Sequence, residues 1–389
     1  MPRLLDDLEL LDRLVAFDST SRNSNLPIAD FICDYVDAPH VRVDRLPSAD
    51  GTKANLYITF GPTPDNGGAV VRPGLVLSGH MDVVPADEDE WRSDPFALFE
   101  EGGRLVGRGA CDMKGFLAVA MNAAARQTAS SLTHPLVLLF TYDEELGTLG
   151  ARHLVETWPD DASLPSAAII GEPTSLRVVR MHKGHMKLRL TLLGETAHSG
   201  YPHLGSNAIE AAGRAITALT NLRADLEGER PEASAHFPEV PFVAFNIATI
   251  DGGRAVNVVP DECVIQIGYR VLPGMEGAVI AERTKATLAA ALGPDEYELE
   301  VHGESPPMRV SEDAAVLDAL LAELGETDMH SVSYATDAGW LQSLGLDCAI
   351  WGPGDIAVAH KPNEWVPVDE LRRCATLLDP IIARFCDGV

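Results

Sequence analysis

Apolar residues along this chain recur in one form: a short run with little alternation that ends on a polar, potentially reactive cluster. Leu75-Val76-Leu77 leads into His80, Leu136 to Thr141 into Asp143-Glu144-Glu145, and Ala167 to Ile170 into Gly171-Glu172. Ala349-Ile350-Trp351 leads into a Gly-Pro-Gly loop and then His360. Runs that do not alternate predict strands covered on both faces. Helical patterns lie between them; Phe116, Leu117, Ala120, Met121 and Ala124 fall on one helical face. Strands alternating with helices predict an α/β sheet with crossover helices, whose ligand crevice lies outside the carboxyl ends of the strands. All four clusters would share that crevice.

The middle of the chain has a different period. Lys187 to Leu192 alternates strictly, as a strand with one wet face does, and a helical pattern follows from Asn207 to Leu222. Strands are expected at Phe242 to Ile250 and Cys263 to Val271, a helix from Glu276 to Leu292, and a last strand at Tyr297 to His302. The order βαββαβ is the ferredoxin-like arrangement, a self-contained α+β unit. The expected organisation is a catalytic domain in two parts, 1–179 and 305–389, interrupted by an inserted domain at 180–304. Gly61 to Gly74 and Arg223 to Pro241 read as surface loops.

A chain of 389 residues has the length of two domains, in keeping with an insertion. No apolar run approaches a membrane span, and the opening MPRLLDDLELLDRL lacks the apolar core of a signal peptide. Six cysteines without a CxxC pair suit reduced thiols, so a cytoplasmic protein is expected. A net charge of -28 argues against a nucleic-acid partner. It fits a solvated acidic surface or an acidic cleft for metal ions or a cationic substrate, and charge alone does not choose.

The candidate chemistry is His80, Asp82, Asp112, Glu144, Glu145, Glu172 and His360. Carboxylates with imidazoles suit zinc or a similar divalent ion, and an acidic bridging group can hold two such ions about 3.5–4 Å apart. Each residue also has a plain reading: packed strand-end histidines, glutamates at a helix N-terminus, Asp112 as a helix cap. The coincidence of several clusters at the ends of apolar runs favours a site. There is no GxSxG, HExxH or Walker motif, and Gly352 to Ala357, which loosely fits a dinucleotide pattern, lacks the opening βαβ unit.

The stretches SGHMDVVP, GRGACDMKG, DEELGTLGA, GEPTS and GPGDIAVAHKPNEWV resemble the dizinc hydrolases that include aminoacylases, bacterial glutamate carboxypeptidase, succinyl-diaminopimelate desuccinylase and acetylornithine deacetylase. The likeness spans essentially the whole chain. It implies a zinc-peptidase-like sheet covered by helices and two zinc ions, for which cobalt or manganese can substitute. Asp112 would bridge the ions, His80 and Glu172 would hold one, and Glu145 and His360 the other. Asp82 would fix the tautomer of His80, and Glu144 would act as general base while a metal-activated water attacks the amide. The same resemblance makes the insert a lid and dimerisation domain of a homodimer. From it His198 would reach the partner's active site and bind the oxyanion, with Asn257 and Arg270 for the substrate. IIGEPTSLRVVRMHKGH, RGACDMKGF and RVLPGM look most like the family's acetylornithine deacetylases, which implies an N-acyl amino acid as substrate, N2-acetyl-L-ornithine first. SYATDAGWLQ resembles the family's substrate loop and offers Thr336. Succinyl-diaminopimelate, acetylcitrulline, other acyl amino acids and dipeptides remain open as substrates. The His182 to His185 run is read as surface or as substrate contact. A zinc-stabilised binding protein without catalysis is a further reading, against which stands Glu144, a carboxylate with no metal to hold.

Overall fold

A computed structural model describes residues 4–64, 72–128, 130–159 and 163–387; of the loop expected at Gly61 to Gly74, residues 65–71 lie outside this description. The chain forms two compact units, one of Met1–Arg180, Val310–His330 and Thr336–Val389, the other of Met181–Arg309 and Ser331–Ala335.

The larger unit is built on a mixed sheet whose neighbours run Val41–Pro47, Ala54–Phe60, Leu136–Thr141, Leu75–His80, Ala167–Ile170 and Asp347–Ile350. The last four are parallel to one another, and the first two pair antiparallel. Every residue of Leu75–His80, Leu136–Thr141 and Ala167–Ile170 is buried, which is why these strands show no alternation. Helix Gly115–Ala125 was expected to bury one face, yet all of Gly115 to Ala124 is buried. It packs between the sheet and the helices Asp7–Val15 and Val368–Cys386, so it has no wet side and needs no polar face.

The smaller unit has a four-stranded antiparallel sheet in the order Ala244–Gly252, Glu262–Arg270, His185–Leu193, Tyr297–Ser305. Helices Ala208–Gly228 and Gly277–Ala291 complete the βαββαβ order. Along His185–Leu193 alternate residues are buried, and Leu188, Leu190 and Leu192 meet Ala215, Leu219 and Leu222 in one core. Arg223 to Gly228, expected in a loop, continue the first helix, because Leu226 extends the apolar stripe of Leu219 and Leu222 and is fully buried. The fold is an α/β sheet covered by helices with a small inserted ferredoxin-like unit. Among the described residues no helix is long and apolar enough to cross a membrane.

Candidate active site

Strand register brings the clusters together. His80 lies level with Thr141, Ser78 with Ile170, and Ile170 with Ile350. Glu172 follows two residues past the end of its strand at Ile170, close to His80, and Glu144 and Glu145 follow just beyond Thr141. Asp112 arrives from the side in an irregular turn, Ala110–Lys114, entered through Gly109 at φ 78°. A Cβ at Gly109 would meet the Val83 side chain, so glycine serves both the conformation and the close approach. Asp112 itself has extended φ/ψ, and helix Gly115–Ala125 begins after it, so Asp112 does not cap that helix.

The two oxygens of Asp112 face different histidines. His80 Nε2 lies 2.9 Å from Oδ1, and His360 Nε2 lies 3.3 Å from Oδ2 and 3.0 Å from Glu145 Oε1. Ligand atoms of His80, Asp112 and Glu172 all fall within 4.8 Å of one another, as do those of Asp112, Glu145 and His360. Glu144 belongs to neither group. The first group is wholly buried, whereas the His360 side chain is 49% exposed.

So many acids in one place disturb each other. Burial raises Glu144 and Glu172 well above the usual carboxylate range, with Glu172 adding to the shift of Glu144 and Asp112 to that of Glu172. Burial and then Asp112 push Glu145 up to about 7. Asp112, although burial opposes it, is held below the ordinary range by its bonds to His360 and His80. Burial pulls His80 down, but its bond to Asp112 and the surrounding carboxylates lift it well above its ordinary value. His360 rises to about 10 through its bonds to Asp112 and Glu145. Each group supplies one imidazole nitrogen and carboxylate oxygens around a concentration of negative charge that divalent cations would relieve. This donor set fits two zinc-like ions bridged by Asp112.

Asp82 supports the site differently from the expectation. His80 Nδ1 donates to the backbone carbonyl of Asp82 at 2.9 Å, while the nearest carboxylate oxygen is 3.6 Å away. The strand ends at His80, and the turning backbone presents its own carbonyl to the ring. A carbonyl only accepts, so Nδ1 carries the proton of this bond and Nε2 is the nitrogen turned toward Asp112, where a metal ion could take it. The Asp82 carboxylate instead accepts from Ser21 Oγ at 2.7 Å and from the amides of Glu144 and Glu145 at 3.1 and 3.3 Å. It thereby holds the segment carrying both glutamates. Lys53 pairs with Asp143 beside them, and Asp143 takes a left-handed φ of 50°.

His198, Asn257 and Arg270 belong to the smaller unit. His198 is exposed and its Nδ1 accepts from the Gly200 amide at 3.0 Å; Asn257 is exposed, and Arg270 is half-buried at the end of its strand. Thr336, in the larger unit, is fully buried, and its hydroxyl oxygen accepts from the Ala338 amide at 3.1 Å. His182 is a core residue rather than a surface one, donating from Nδ1 to the Lys183 carbonyl. Lys183 Nζ donates to the carbonyls of Val240 and Phe242.

Residues 76–384 match the model of peptidase family M20/M25/M40. The acetylornithine deacetylase of Myxococcus xanthus is 37% identical over 393 residues, covering 97% of both chains. That of Pasteurella multocida is 32% identical over 398 residues and the full length of both. Among solved structures, an M20 family metallo-carboxypeptidase from Sulfolobus solfataricus superposes with a TM-score of 0.80 at 19% identity, covering 98% of this chain and 99% of the other. The chain belongs to peptidase family M20/M25/M40. It is a metal-dependent amidohydrolase of that family, with two candidate metal-binding clusters joined at Asp112.

Proposed function

We propose that the protein hydrolyses the amide bond of N2-acetyl-L-ornithine to L-ornithine and acetate, a step of arginine synthesis, using two zinc ions. The observation that carries the hydrolytic reading is the division of labour among the acids. Asp112 splits its oxygens between two clusters, and Glu144 stands close enough to feel Glu172 and Glu145 yet joins neither cluster. His80, Asp112 and Glu172 are assigned to one ion, and Asp112, Glu145 and His360 to the other. Bound there, the ions would polarise the amide carbonyl and make a water more acidic. Glu144 takes the proton of the attacking water and returns it to the departing amine. Asp82 keeps Glu144 in reach by holding its amide.

The segment 180–304 is assigned as lid and dimerisation domain. In the homodimer, His198 of the partner subunit binds the oxyanion. Asn257 and Arg270 hold the substrate, with the Arg270 guanidinium clamping an α-carboxylate through two parallel bonds. Thr336 is assigned as a further substrate contact. The acetylornithine assignment is supported by curated relatives of that name at 32–37% identity, and an acidic protein with a net charge of -28 suits a cationic side chain. A cytoplasmic setting fits such a biosynthetic step.

The test is initial rates of the zinc-loaded protein on N2-acetyl-L-ornithine, N-acetylcitrulline, succinyl-diaminopimelate and a dipeptide. A clear preference for acetylornithine is expected. Preference for another of the four replaces the substrate and keeps the chemistry; hydrolysis of none by the metal-loaded protein overturns the acetylornithine assignment.

A further inference from the structure

The geometry points to the buried ion pair Arg108–Glu364 as the positioning element of the metal centre, the part that decides where Asp112 places its two oxygens. This inference rests on the reading of the site as a metal centre. Neither residue is a ligand, and both side chains are essentially inaccessible, 0% and 1% exposed. Glu364 Oε1 accepts from two backbone amides at once, those of Cys111 and of Asp112, each at 3.0 Å. Its Oε2 accepts from Arg108 Nη1 at 2.8 Å.

Both amides lie in the irregular turn that carries Asp112, between the Ala110 and Lys114 amides, which bond to the carbonyls of Gly107 and Gly109. Asp112 (φ -121°, ψ 92°) and Met113 (φ -136°, ψ 35°) both leave helical geometry inside this turn, so a helical ladder does not serve the Asp112 N–H. A carboxylate bridging both amides replaces that ladder and sets the direction in which Asp112 leaves the chain. Charge-assisted bonds of this kind are the stronger ones, and in a buried setting they hold geometry closely.

Arg108 extends the hold to the other ligand-bearing segments. Its Nη2 donates to the Pro85 carbonyl at 3.0 Å, just beyond the His80 to Asp82 stretch. Its Nη1 also reaches the Lys361 carbonyl at 3.4 Å, the residue after His360. The guanidinium lies 5.0 Å above the Trp91 ring and 3.6 Å from Glu88, which fixes its plane. One ion pair thus ties together the segment after His80, the segment of Asp112 and the segment after His360. These are three of the segments that must agree if both clusters are to share one carboxylate. A pair serving stability alone would be replaceable by apolar side chains of similar volume, often at no loss. The two amides of the ligand segment would then lose their acceptor whatever the stability.

The experiment follows from that difference. The Glu364→Gln variant and the double variant Arg108→Met with Glu364→Leu are purified without metal, their thermal unfolding is recorded, and Co(II) is titrated into each while its visible absorption is followed. Supporting groups around ligands typically set metal affinity by about 10–100-fold. A weakening of that order with an altered Co(II) spectrum is expected in Glu364→Gln, and it is expected to persist in the double variant even where metal-free stability is restored. Wild-type affinity and spectrum in either folded variant would overturn the inference while leaving the metal centre standing. A wild-type protein that binds no Co(II) would overturn both.

Discussion

The two candidate clusters share Asp112 and differ in almost everything else. The His80 and Glu172 side grows from the ends of parallel strands, is fully buried, and inherits its geometry from sheet register. The Glu145 and His360 side is carried by loops; His360 takes a left-handed φ of 60° and is half-exposed. One half of the centre is therefore as rigid as the sheet, and the other depends on loop contacts and can meet solvent. Burial lowers both buried histidines, and the company each keeps decides the outcome. His80, buried among carboxylates, is raised, whereas His182, equally buried in the smaller unit but facing Arg270, is pulled down to about 4.

The largest effect is expected from removing metal. A chelator should abolish turnover and should strip the metals in two phases, the faster from the open cluster, followed as metal content and activity against time. Loss of both ions in one phase would break the distinction between the halves. Next comes Glu144→Gln, expected to lower kcat by roughly 10²–10⁴ while both metals stay bound, as metal analysis of the purified variant would show. A variant that loses one metal would place Glu144 among the ligands.

Smaller again is the stability difference between the histidines in the metal-free protein. His80→Ala strips a partner from buried Asp112 and leaves acids facing each other, an expected loss of about 3–5 kcal/mol. His360→Ala also takes a bond from Asp112, but from a half-exposed side chain that water can replace, and should cost under about 1 kcal/mol. Urea unfolding of both variants checks this, and equal penalties would show that exposure does not separate the two sites.

The strand ends were legible because unbroken apolar runs stop at a polar residue when the chain leaves a sheet covered on both sides. The runs before His80, Glu144 and Glu172 are such strands. The small unit was legible because alternation is strict along its two central strands, His185–Leu193 and Glu262–Arg270, one residue into the core and the next toward water. What the sequence could not display were partners distant along the chain. Ser21 reaches Asp82 across 61 positions and Glu364 reaches Arg108 across 256, and as letters an arginine and a glutamate look like ordinary surface charges. The signal for the last pair was present only as position. Glu364 stands four residues after His360 in HKPNE, and Arg108 four before Asp112 in RGACD. The role of Asp82 was misdirected for a local reason: two-residue spacing implies a shared side only while the chain is extended, and the strand stops at His80.

Acid sensitivity in the smaller unit tests the second half of the comparison, that burial without a carboxylate partner leaves a histidine shifted downward. Burial, with Arg270 adding to it, lowers His182 to about 4, so the folded smaller unit keeps this ring neutral where the unfolded chain does not. Above the ordinary value of 6.5 both states are neutral, and the residue contributes no pH dependence. As pH falls below that value the unfolded chain binds a proton that the folded one refuses. Stability therefore drops until the pH approaches the folded value. The expected loss is roughly 2–3 kcal/mol by pH ~4.5, at about 1.4 kcal/mol per pH unit. Acids of the metal centre titrate over the same range, so the quantity to measure is the difference between wild type and His182→Gln in urea unfolding at pH 7 and pH 4.5. The variant should be less sensitive to acid by that amount. An unchanged sensitivity would mean that His182 takes up its proton in the folded state and that Arg270 does not hold it off.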